Sequence, residues 1–485
     1  MRFSPWIRGV AWLAAALLTT LLAALWTTPS LAQRPTLSKN VRQYVAIDTN
    51  VVALTHVRVI DGTGAPARED QTLVLRDGVI SAMGDAATVQ VPAGAQIVDL
   101  TGRTVIPGLV MMHEHLYYPT GPGVYGNLSE SFTRLYLAGG VTSMRTAGNA
   151  NGYGELGIAR AIARGEKPGP WIDATAPYLQ GPGLDIGQMY ELKDAADARR
   201  MVSFWADAGA TSFKAYMNIT RAELAAAIQE AHRRGMKITG HLCSVTYREA
   251  AALGIDNLEH GFFVATDFVR GKKPDVCPGQ NVGAAAMDTV APDGAAFDAL
   301  MRDLIAHHVA ITSTLTVFQT FTPGQPMPRG LEVLDPILRK QFEDFYAQVQ
   351  HAPSSAFGNA FARDRAMELR FARAGGVLLA GTDPTGAGGV IPGFADQRQI
   401  ELLVGSGFTP LEAIRICTLN GATYLGRADR IGSIARGKQA DLVVVRGNPA
   451  ANISDVENVE LVFKEGVGYD PKKLIASVAG KVGLF

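Results

Sequence analysis

The stretch Thr104–Tyr118, TVIPGLVMMHEHLYY, is an apolar run that ends in two histidines spaced i and i+2. Such a run predicts a buried β-strand, in which alternate side chains share one face. We therefore expect His113 and His115 to point to one side and Glu114 to the other. Two imidazoles on one face can bind one cation. Taken alone, the pair is equally compatible with a strand end that carries two structural histidines.

Length and charge limit the range of functions. The chain has 485 residues, 47% of them hydrophobic, and its 45 basic residues balance its 45 acidic residues. This length exceeds one ordinary domain and suffices for a large core. Charge neutrality without a basic cluster argues against a nucleic-acid partner. We expect a small neutral or zwitterionic molecule as partner, and the sequence leaves open whether the chain forms a homo-oligomer.

Residues 1–32 have the pattern of an export signal. Two arginines flank the start of the apolar segment Val10–Trp26, and Ser30-Leu31-Ala32 is typical of a cleavage site. An uncleaved membrane anchor is the alternative, although the apolar run is near the lower length limit for a span. No later segment looks long and apolar enough to span. We predict a periplasmic or secreted protein that has no membrane association after signal cleavage.

The three cysteines, Cys243, Cys277 and Cys417, are too few for a disulfide scaffold. An export compartment would permit a bridge between Cys243 and Cys277, since both lie in segments expected at the same end of the fold. Buried free thiols are the alternative.

Short β-branched segments occur towards both ends of the chain. Residues 51–103 contain alternating apolar segments with Asp-Gly turns, and a similar pattern returns after residue 431. This predicts one small β-sandwich domain built from the N- and C-terminal segments, with another domain inserted between them. The predicted boundaries are 33–50 for an N-terminal extension, 51–103 and 426–485 for the two parts of the β-sandwich and the C-terminal tail, and 104–425 for the inserted domain.

Within the inserted domain, short apolar strands alternate with amphipathic helices, which is typical of a parallel sheet. Eight such units predict an α/β fold of the (β/α)8 TIM-barrel type, whose chemistry lies at the C-terminal strand ends. The long Gly- and Pro-rich connections 264–294 and 318–356 are expected to cover that end. The eight predicted strands are Val105–His115, Val141–Ala147, Trp171–Ala176, Thr211–Met217, Lys237–Leu242, Asn257–Phe262, Val309–Leu315 and Val377–Asp383.

Four of these strands end in a group that can bind a metal ion: Lys214 on the fourth strand, His241 on the fifth, His260 on the sixth and Asp383 on the eighth. Together with the two histidines of the first strand, they predict a metal site at one rim of the barrel. We interpret the five remaining histidines as structural.

With these motifs in place, the sequence from Val51 to Gly466 resembles the amidohydrolase superfamily. The resemblance rests on PGLVMMHEH at 107–115, on a lysine, two histidines and an aspartate in strand order, and on IGSIARGKQADLVVV at 431–445. It looks most like the branch of imidazolonepropionase-like proteins and Xaa-Pro dipeptidase (prolidase)-like enzymes. One departure is Met111, where many members carry an aspartate, and this puts the support of the first strand in doubt.

The resemblance implies a centre of two divalent metal ions. In that arrangement His113, His115 and Asp383 hold the first ion, His241 and His260 hold the second, and Lys214, carboxylated by carbon dioxide, bridges both. Zinc is favoured, although these ligands also admit manganese, cobalt or iron.

Further candidates concern catalysis and substrate binding. Asp383 would pass a proton to the leaving nitrogen, or could instead cap a helix, and Pro384 favours an extended backbone for it. Tyr216 could donate a hydrogen bond to the scissile carbonyl or a substrate carboxylate, or be an aromatic of the barrel wall. Arg145 could bind a substrate carboxylate or pair with a wall carboxylate. Glu114 is expected to face away from the metals, with a catalytic role as the alternative.

On the strength of the resemblance, we expect hydrolysis of an amide bond of the dipeptide or N-acyl amino acid type. One alternative is a mononuclear-metal hydrolase of the cyclic amidase or deaminase kind, with His260 as the acid/base. A lactonase or esterase would use the same metal pair. A noncatalytic exported small-molecule-binding protein is the alternative from another class.

Overall fold

The stretch Thr104–Tyr118 does not form a single strand. In the computed structural model it contains most of one strand, Arg103–Pro107, and all of a second, Leu109–Glu114. The two strands belong to different sheets. The prediction of one strand over Val105–His115 is therefore wrong in this respect.

Gly108 is the residue at which the chain passes from one sheet to the other. Its N–H donates to the carbonyl of Asp441 (2.8 Å), whereas the next N–H, that of Leu109, donates to the carbonyl of Gly140 (2.9 Å). A Cβ atom on Gly108 would lie 2.1 Å from Thr142 Oγ1. The neighbouring strand therefore approaches closely enough that only glycine fits.

The structure describes residues 35–121, 123–184, 186–352 and 356–485. The predicted signal segment, residues 1–32, lies outside the described residues. Among the described helices, none combines the length and the apolar composition needed to cross a membrane. The segment Thr36–Phe485 folds as one compact unit.

Nineteen strands occur in the described residues. In chain order they are β1 Val45–Ile47, β2 Val51–Val59, β3 Arg68–Arg76, β4 Val79–Asp85, β5 Gln96–Asp99, β6 Arg103–Pro107, β7 Leu109–Glu114, β8 Tyr117–Gly121, β9 Val124–Asn127, β10 Val141–Thr146, β11 Trp171–Asp173, β12 Ser212–Ala215, β13 Lys237–Gly240, β14 Asn257–Glu259, β15 Ala310–Ser313, β16 Leu378–Ala380, β17 Leu442–Arg446, β18 Val459–Lys464 and β19 Val467–Tyr469.

The α-helices of the described residues are α1 Lys39–Arg42, α2 Ser129–Ala138, α3 Tyr153–Ala163, α4 Ala195–Ala208, α5 Arg221–Arg233, α6 Tyr247–Leu253, α7 Gln280–Met287, α8 Ala295–Ala306, α9 Leu315–Thr320, α10 Pro336–His351, α11 Ala356–Arg373, α12 Phe394–Gly405, α13 Pro410–Arg415, α14 Gly421–Tyr424 and α15 Pro471–Ala476. Short 3₁₀ turns cover Leu331–Val333 and Ile453–Glu457, and a π-helical turn covers Ile416–Asn420. Capping boxes begin α5 at Thr220 and α13 at Thr409, because each threonine and the glutamate three residues later exchange hydrogen bonds.

A nine-stranded sheet combines both ends of the described chain. Its strand order is β1-β19-β18-β17-β6-β2-β3-β4, with β5 beside β2. Strand β1, within the segment 33–50 expected to be an extension, pairs antiparallel with β19. Buried side chains from both ends, among them Leu54, Val444 and Phe463, form a hydrophobic cluster separate from the main core. Strands distant in sequence thus share one core.

Eight parallel strands form two further sheets, one of β7, β10 and β11 and one of β12 to β16. An isolated parallel bridge between Thr175 and Ser212 links the two sheets. Beyond β16, the N–H groups of Thr382 and Asp383 donate to the carbonyl of His113 at the end of β7 (3.1 and 3.0 Å). These contacts bring the C-terminal ends of the first and last parallel strands together.

Candidate metal centre

Six side chains predicted from the sequence meet at the C-terminal ends of the parallel strands. All are buried, with relative exposures of 0% for His113, 2% for His115, 1% for Lys214, 8% for His241, 2% for His260 and 8% for Asp383. Each ends or follows a short parallel strand, so the backbone carries the side chain to the strand end.

Asp383 lies at the middle of this cluster. Its Oδ1 is 3.4 Å from His115 Nε2, and its Oδ2 is 3.8 Å from His113 Nε2. Ligand atoms of these three residues all lie within 4.8 Å of one another. A carboxylate and two imidazoles at this spacing are able to hold one divalent ion.

The other three residues adjoin this trio. Lys214 Nζ is 3.5 Å from His113 Nε2. The His260 ring centroid lies 4.5 Å from that of His113 and 4.4 Å from that of His241. The structure therefore brings all six predicted residues into one cluster.

Hydrogen bonds outside the cluster orient the imidazoles. His113 Nδ1–H donates to Glu259 Oε2 (2.7 Å), and His115 Nδ1–H donates to the carbonyl of Gly148 (3.2 Å). His260 Nδ1 hydrogen-bonds to Thr314 Oγ1 (2.9 Å). In each ring Nε2 is thereby left for the cluster.

The donor set fits a divalent metal ion. His260 Nε2 is buried and has no hydrogen-bond partner, which is unfavourable unless something else occupies its lone pair. Burial lowers the pKa of His113 to about 4 and that of His241 to about 3, so both imidazoles are neutral near pH 7. Neutral imidazoles next to a carboxylate are typical ligands of zinc and related ions.

The backbone at Asp383 differs from the prediction. Pro384 favours an extended conformation for the preceding residue, yet Asp383 has a φ of +53°, in the left-handed region. Thr385 Oγ1 donates to Asp383 Oδ1 (2.5 Å), and its N–H donates to the Asp383 carbonyl (2.7 Å). This local turn holds the carboxylate over the histidines. The alternative of a helix N-cap is also wrong, because the next helix begins only at Phe394.

Glu114 faces away from the cluster, as alternation along the strand predicts. Its carboxylate accepts hydrogen bonds from the N–H (2.9 Å) and the hydroxyl of Thr382. It does not line the cavity beside the metal cluster. A catalytic role for Glu114 is therefore not supported.

Arg145 does not reach the cavity beside the cluster, and its assignment to a substrate carboxylate is corrected. The side chain is 1% exposed. Its guanidinium donates to the carbonyl of Met112 (2.8 Å), to Asn257 Oδ1 (2.7 Å) and to Glu259 Oε1 (2.6 Å). Arg145 therefore pairs with a buried carboxylate, that of Glu259, which is the alternative prediction.

Glu259 is a functional residue that no sequence motif indicated. Although burial opposes its ionisation, the Arg145 guanidinium holds the pKa of this carboxyl well below its ordinary value. Glu259 thus presents a buried anion to His113. The residue immediately before His260 in a strand is expected on the opposite face, but His260 has a φ of +70°. This left-handed residue breaks the alternation, so both side chains serve the same site.

A cavity of about 230 Å³ adjoins the cluster and includes Tyr216 in its wall. The Tyr216 ring lies 5.0 Å from that of His241 and 4.6 Å from that of Tyr178 between centroids. Residues of the two long connections, Val264 and Phe321 among them, also line it. Tyr216 is thus placed where a ligand could meet it, and its predicted contact with substrate stays a prediction.

A disulfide joins Cys243 and Cys277, with their Cα atoms 4.8 Å apart. Cys243 lines the cavity two residues after His241. Cys277 lies just before Gly279 and Gly283, which also line it. The bridge thus ties one cavity wall to the segment that carries His241. Cys417 is a buried free thiol.

Comparisons with known proteins agree with this site. The model of the family described as "Amidohydrolase family" matches residues 356–468. The imidazolonepropionase of Porphyromonas gingivalis is 24% identical over 420 residues, covering 81% of this chain and 86% of that protein. The enamidase of Eubacterium barkeri is 22% identical over 394 residues, covering 79% and 82%.

A solved structure of a Xaa-Pro dipeptidase with bound methionine in the active site has a TM-score of 0.65 to this chain. It is 19% identical and the match covers 87% of this chain and 100% of that one, a likeness that concerns the fold. A family match over residues 356–468, two relatives matched over about four fifths of the chain and a shared fold point the same way as the buried histidine–aspartate cluster. These findings support the amidohydrolase superfamily, a metal-dependent family, and a hydrolase that acts on carbon–nitrogen bonds.

Proposed function

We propose that this chain is an exported amidohydrolase that uses a dinuclear metal centre, bridged by carboxylated Lys214, to hydrolyse an amide bond of the dipeptide or N-acyl amino acid type. The observation that carries the proposal is the convergence of four imidazoles, one lysine and one carboxylate, with His260 Nε2 buried and without a partner.

The residues divide into two ligand sets. His113, His115 and Asp383 would hold one ion, His241 and His260 would hold the other, and Lys214 would serve both. The proximity of Lys214 Nζ to His113 Nε2, 3.5 Å, supports a bridging place. Two bound divalent ions, most simply zinc, supply Lewis acidity to the scissile carbonyl and lower the pKa of the attacking water.

Carboxylation of Lys214 requires the neutral amine. Burial lowers the pKa of Lys214 to about 8, which increases the neutral fraction near pH 7. The amine then adds to carbon dioxide, forming one N–C bond and releasing one proton. The product carries a negative charge where the ammonium carried a positive one, and this favours nearby cations.

Asp383 handles the proton of the reaction. Its Oδ1 accepts the hydroxyl hydrogen of Thr385, and its carboxylate faces the cluster. It takes a proton from the attacking water and delivers it to the leaving nitrogen, which departs as the neutral amine. Tyr216, in the cavity wall beside His241, donates a hydrogen bond to the scissile carbonyl oxygen.

The proposal extends to the fold. The eight parallel strands form a closed (β/α)8 barrel and the nine-stranded sheet forms a β-sandwich. The bridge between Thr175 and Ser212 and the hydrogen bonds from Thr382 and Asp383 to His113 support closure of the barrel.

Export is part of the proposal as well. The composition of residues 1–32 supports a cleaved signal, and the Cys243–Cys277 bridge is compatible with an oxidising compartment. Sequencing the N-terminus of the protein recovered from the periplasm or medium should give a start near Gln33. Recovery of the full-length chain from the cytoplasm would contradict export.

The experiment that tests the catalytic proposal is a metal count followed by a product screen. About two ions per chain and a carbamate signal from ¹³C-labelled carbon dioxide support the dinuclear centre. One ion without a carbamate supports the mononuclear alternative, which the compact trio of His113, His115 and Asp383 favours. Mass spectrometry then follows a library of amides, esters and lactones with and without chelator. If every compound stays intact on the metal-loaded protein, the enzyme assignment is wrong.

A further inference from the structure

The cavity beside the metal cluster has one wall of tyrosines. The ring centroids of Tyr178 and Tyr216 lie 4.6 Å apart, and those of Tyr117 and Tyr125 lie 5.4 Å apart. The hydroxyl groups of Tyr117 and Tyr178 hydrogen-bond to each other. This pairing satisfies the hydroxyl groups of these two residues, so at Tyr117 and Tyr178 a ligand meets mainly aromatic surface, while Tyr216 keeps its hydroxyl for the scissile carbonyl.

Three phenylalanines, Phe263, Phe318 and Phe321, line the same cavity. The rings of Phe263 and Phe318 stack with centroids 3.7 Å apart, and the Phe318 ring lies 5.7 Å from that of His260. Aromatic surface therefore extends up to the metal cluster. Flat apolar groups gain most from such surroundings.

Charged side chains in the cavity wall are confined to the cluster itself. Among the described residues that line the cavity, Lys214 is the only lysine or arginine and Asp383 the only acidic residue. Arg145, the cation expected to bind a substrate carboxylate, is engaged with Glu259 instead. Away from the cluster, a charged substituent held against the aromatic walls would lose water and meet no side chain of opposite charge, and the ring faces would offset only part of that loss for a cation.

From this arrangement we infer the substrate class of the site. It is an amide that carries an uncharged aromatic or bulky apolar group on the nitrogen or on the acyl carbon of the scissile bond. The inference rests on the proposed amide hydrolysis, and it replaces the dipeptide and N-acyl amino acid types, whose carboxylate lies close to the scissile bond, with uncharged amides. Free dipeptides, which carry an ammonium and a carboxylate close to the scissile bond, are poor substrates. Amides with a neutral aryl group on the nitrogen or on the acyl carbon are good ones.

A series of four anilides tests the inference on the metal-loaded protein. Acetanilide is neutral and apolar, 4-acetamidobenzamide is neutral and polar, 4-acetamidobenzoate is anionic, and 4-(aminomethyl)acetanilide is cationic. Calorimetry gives the dissociation constant of each compound, and chromatography of the released aniline gives kcat/KM. We expect both neutral compounds to bind at least about tenfold more tightly than the anionic one. They should also bind more tightly than the cationic one, but by a smaller factor, because the ring faces partly offset its lost hydration.

The outcomes separate the two proposals. Equal or tighter binding of either charged compound overturns the inference about the cavity, whether or not the compounds are hydrolysed. Preferential binding of the neutral pair supports it, and release of aniline then supports amide hydrolysis. Preferential binding without release of any aniline, by a protein that also leaves the wider amide library intact, overturns the proposed function but not the selectivity of the cavity.

A charge introduced into the wall provides a matched test. Met189 is a half-buried residue of the cavity lining. In M189K the binding preference for 4-acetamidobenzamide over 4-acetamidobenzoate should fall by about tenfold, because the carboxylate gains a partner. M189Q, of similar length but neutral, should keep the wild-type preference. Two results would overturn the claim that the cavity disfavours carboxylates because its aromatic wall has no cation. One is an unchanged binding preference in M189K, and the other is an equal fall of the preference in M189K and M189Q.

Discussion

At the scale of single residues, the arrangement of the cluster depends on groups that are not themselves candidate metal ligands. Glu259 accepts from His113 Nδ1–H, and Arg145 accompanies Glu259 as its counter-charge. The hydroxyl of Thr239 also donates to Glu259. A buried carboxylate with these partners fixes the tautomer of His113 and increases the basicity of its Nε2.

Replacement of Glu259 by glutamine tests this network. The amide keeps the shape but not the charge, so we expect the metal affinity of E259Q to fall roughly 10- to 100-fold without loss of the fold. Competition with a chromogenic chelator measures the affinity, and circular dichroism checks the fold. The matched control is E155Q, which changes another buried glutamate, in helix α3, that does not line the cavity beside the cluster. Metal binding by E259Q as tight as that of E155Q would contradict the role of Glu259.

Lys214 permits a direct test of the bridging ligand. Lys214→Ala would remove the proposed carbamate, so we expect the metal content to fall from about two ions per chain to about one or fewer. Elemental analysis of dialysed protein measures the content. Lys340→Ala, a change in an exposed lysine of helix α10, serves as the control and should retain the wild-type content. Two ions in the Lys214 variant would show that the ions do not need this residue.

At the scale of elements, the cavity wall and the metal ligands are linked by a covalent bond. The disulfide closes a segment with a sequence separation of 34 residues between Cys243 and Cys277. That segment and the residues just after it contribute Val264, Thr266 and Gly279 to the cavity wall. Because Cys243 follows His241 by two residues, the bridge holds the wall in a fixed place relative to the cluster.

Opening the disulfide should affect substrate binding more than chemistry. In Cys277→Ser we expect KM to rise severalfold with a smaller change in kcat, and the free energy of unfolding to fall by roughly 2 to 4 kcal/mol. Steady-state kinetics and chemical denaturation measure the two effects. Cys417→Ala changes a cysteine outside the bridge and should leave KM unaltered. A fall in kcat at constant KM would mean that the bridge supports the cluster rather than the wall.

At the scale of the whole molecule, buried acids link stability to pH. Burial raises the pKa of Glu155 to about 8 and that of Asp364 to about 7. Both groups are therefore protonated in the folded chain at pH values where the unfolded chain has lost the proton. Their contribution to stability is complete below the unfolded pKa, near 4, and is lost as the pH rises through the folded values of about 7 and 8.

The prediction concerns the window from about pH 7.5 to 8.5, in which the cluster histidines are largely neutral in both the folded and the unfolded chain. There a buried acid decreases the free energy of unfolding by at most about 1.4 kcal/mol per pH unit, and Glu155, with the higher folded pKa, contributes most of the slope. Urea denaturation at a series of pH values measures the slope. Glu155→Gln should have a shallower slope, while Glu332→Gln, at an exposed position, should keep that of the wild type. If the free energy of unfolding falls with pH at the same rate in the wild type and in both variants, Glu155 is not the source of the pH dependence.

Much of the site could be predicted from local pattern. The alternation in Leu109–Glu114 places His113 and His115 on one side and Glu114 on the other, and the structure agrees. Lys214, His241, His260 and Asp383 follow apolar strands and are found together. Local chemistry sufficed here because a parallel strand delivers its last side chains to a shared edge.

Two local rules failed where the tertiary structure opposed them. Pro384 favours an extended Asp383, yet hydrogen bonds to Thr385 and to the His113 carbonyl hold the aspartate in a left-handed conformation. The same conformation at His260 allows Glu259 to share its site. Neither feature can be read from the residue types, because each depends on partners far away in the chain.

The sequence by itself determined the residues of the cluster and the α/β class. It also indicated that β-rich segments towards both ends of the chain enclose an inserted region of different pattern. Strand periodicity and strand-end chemistry are local properties, and short stretches contain them in full. Only the tertiary structure decided that Gly108 divides the opening stretch between two sheets, that Arg145 neutralises Glu259 rather than a substrate, and that aromatic rings line the cavity. These outcomes depend on which distant side chains become neighbours, and that is settled by packing of the whole chain.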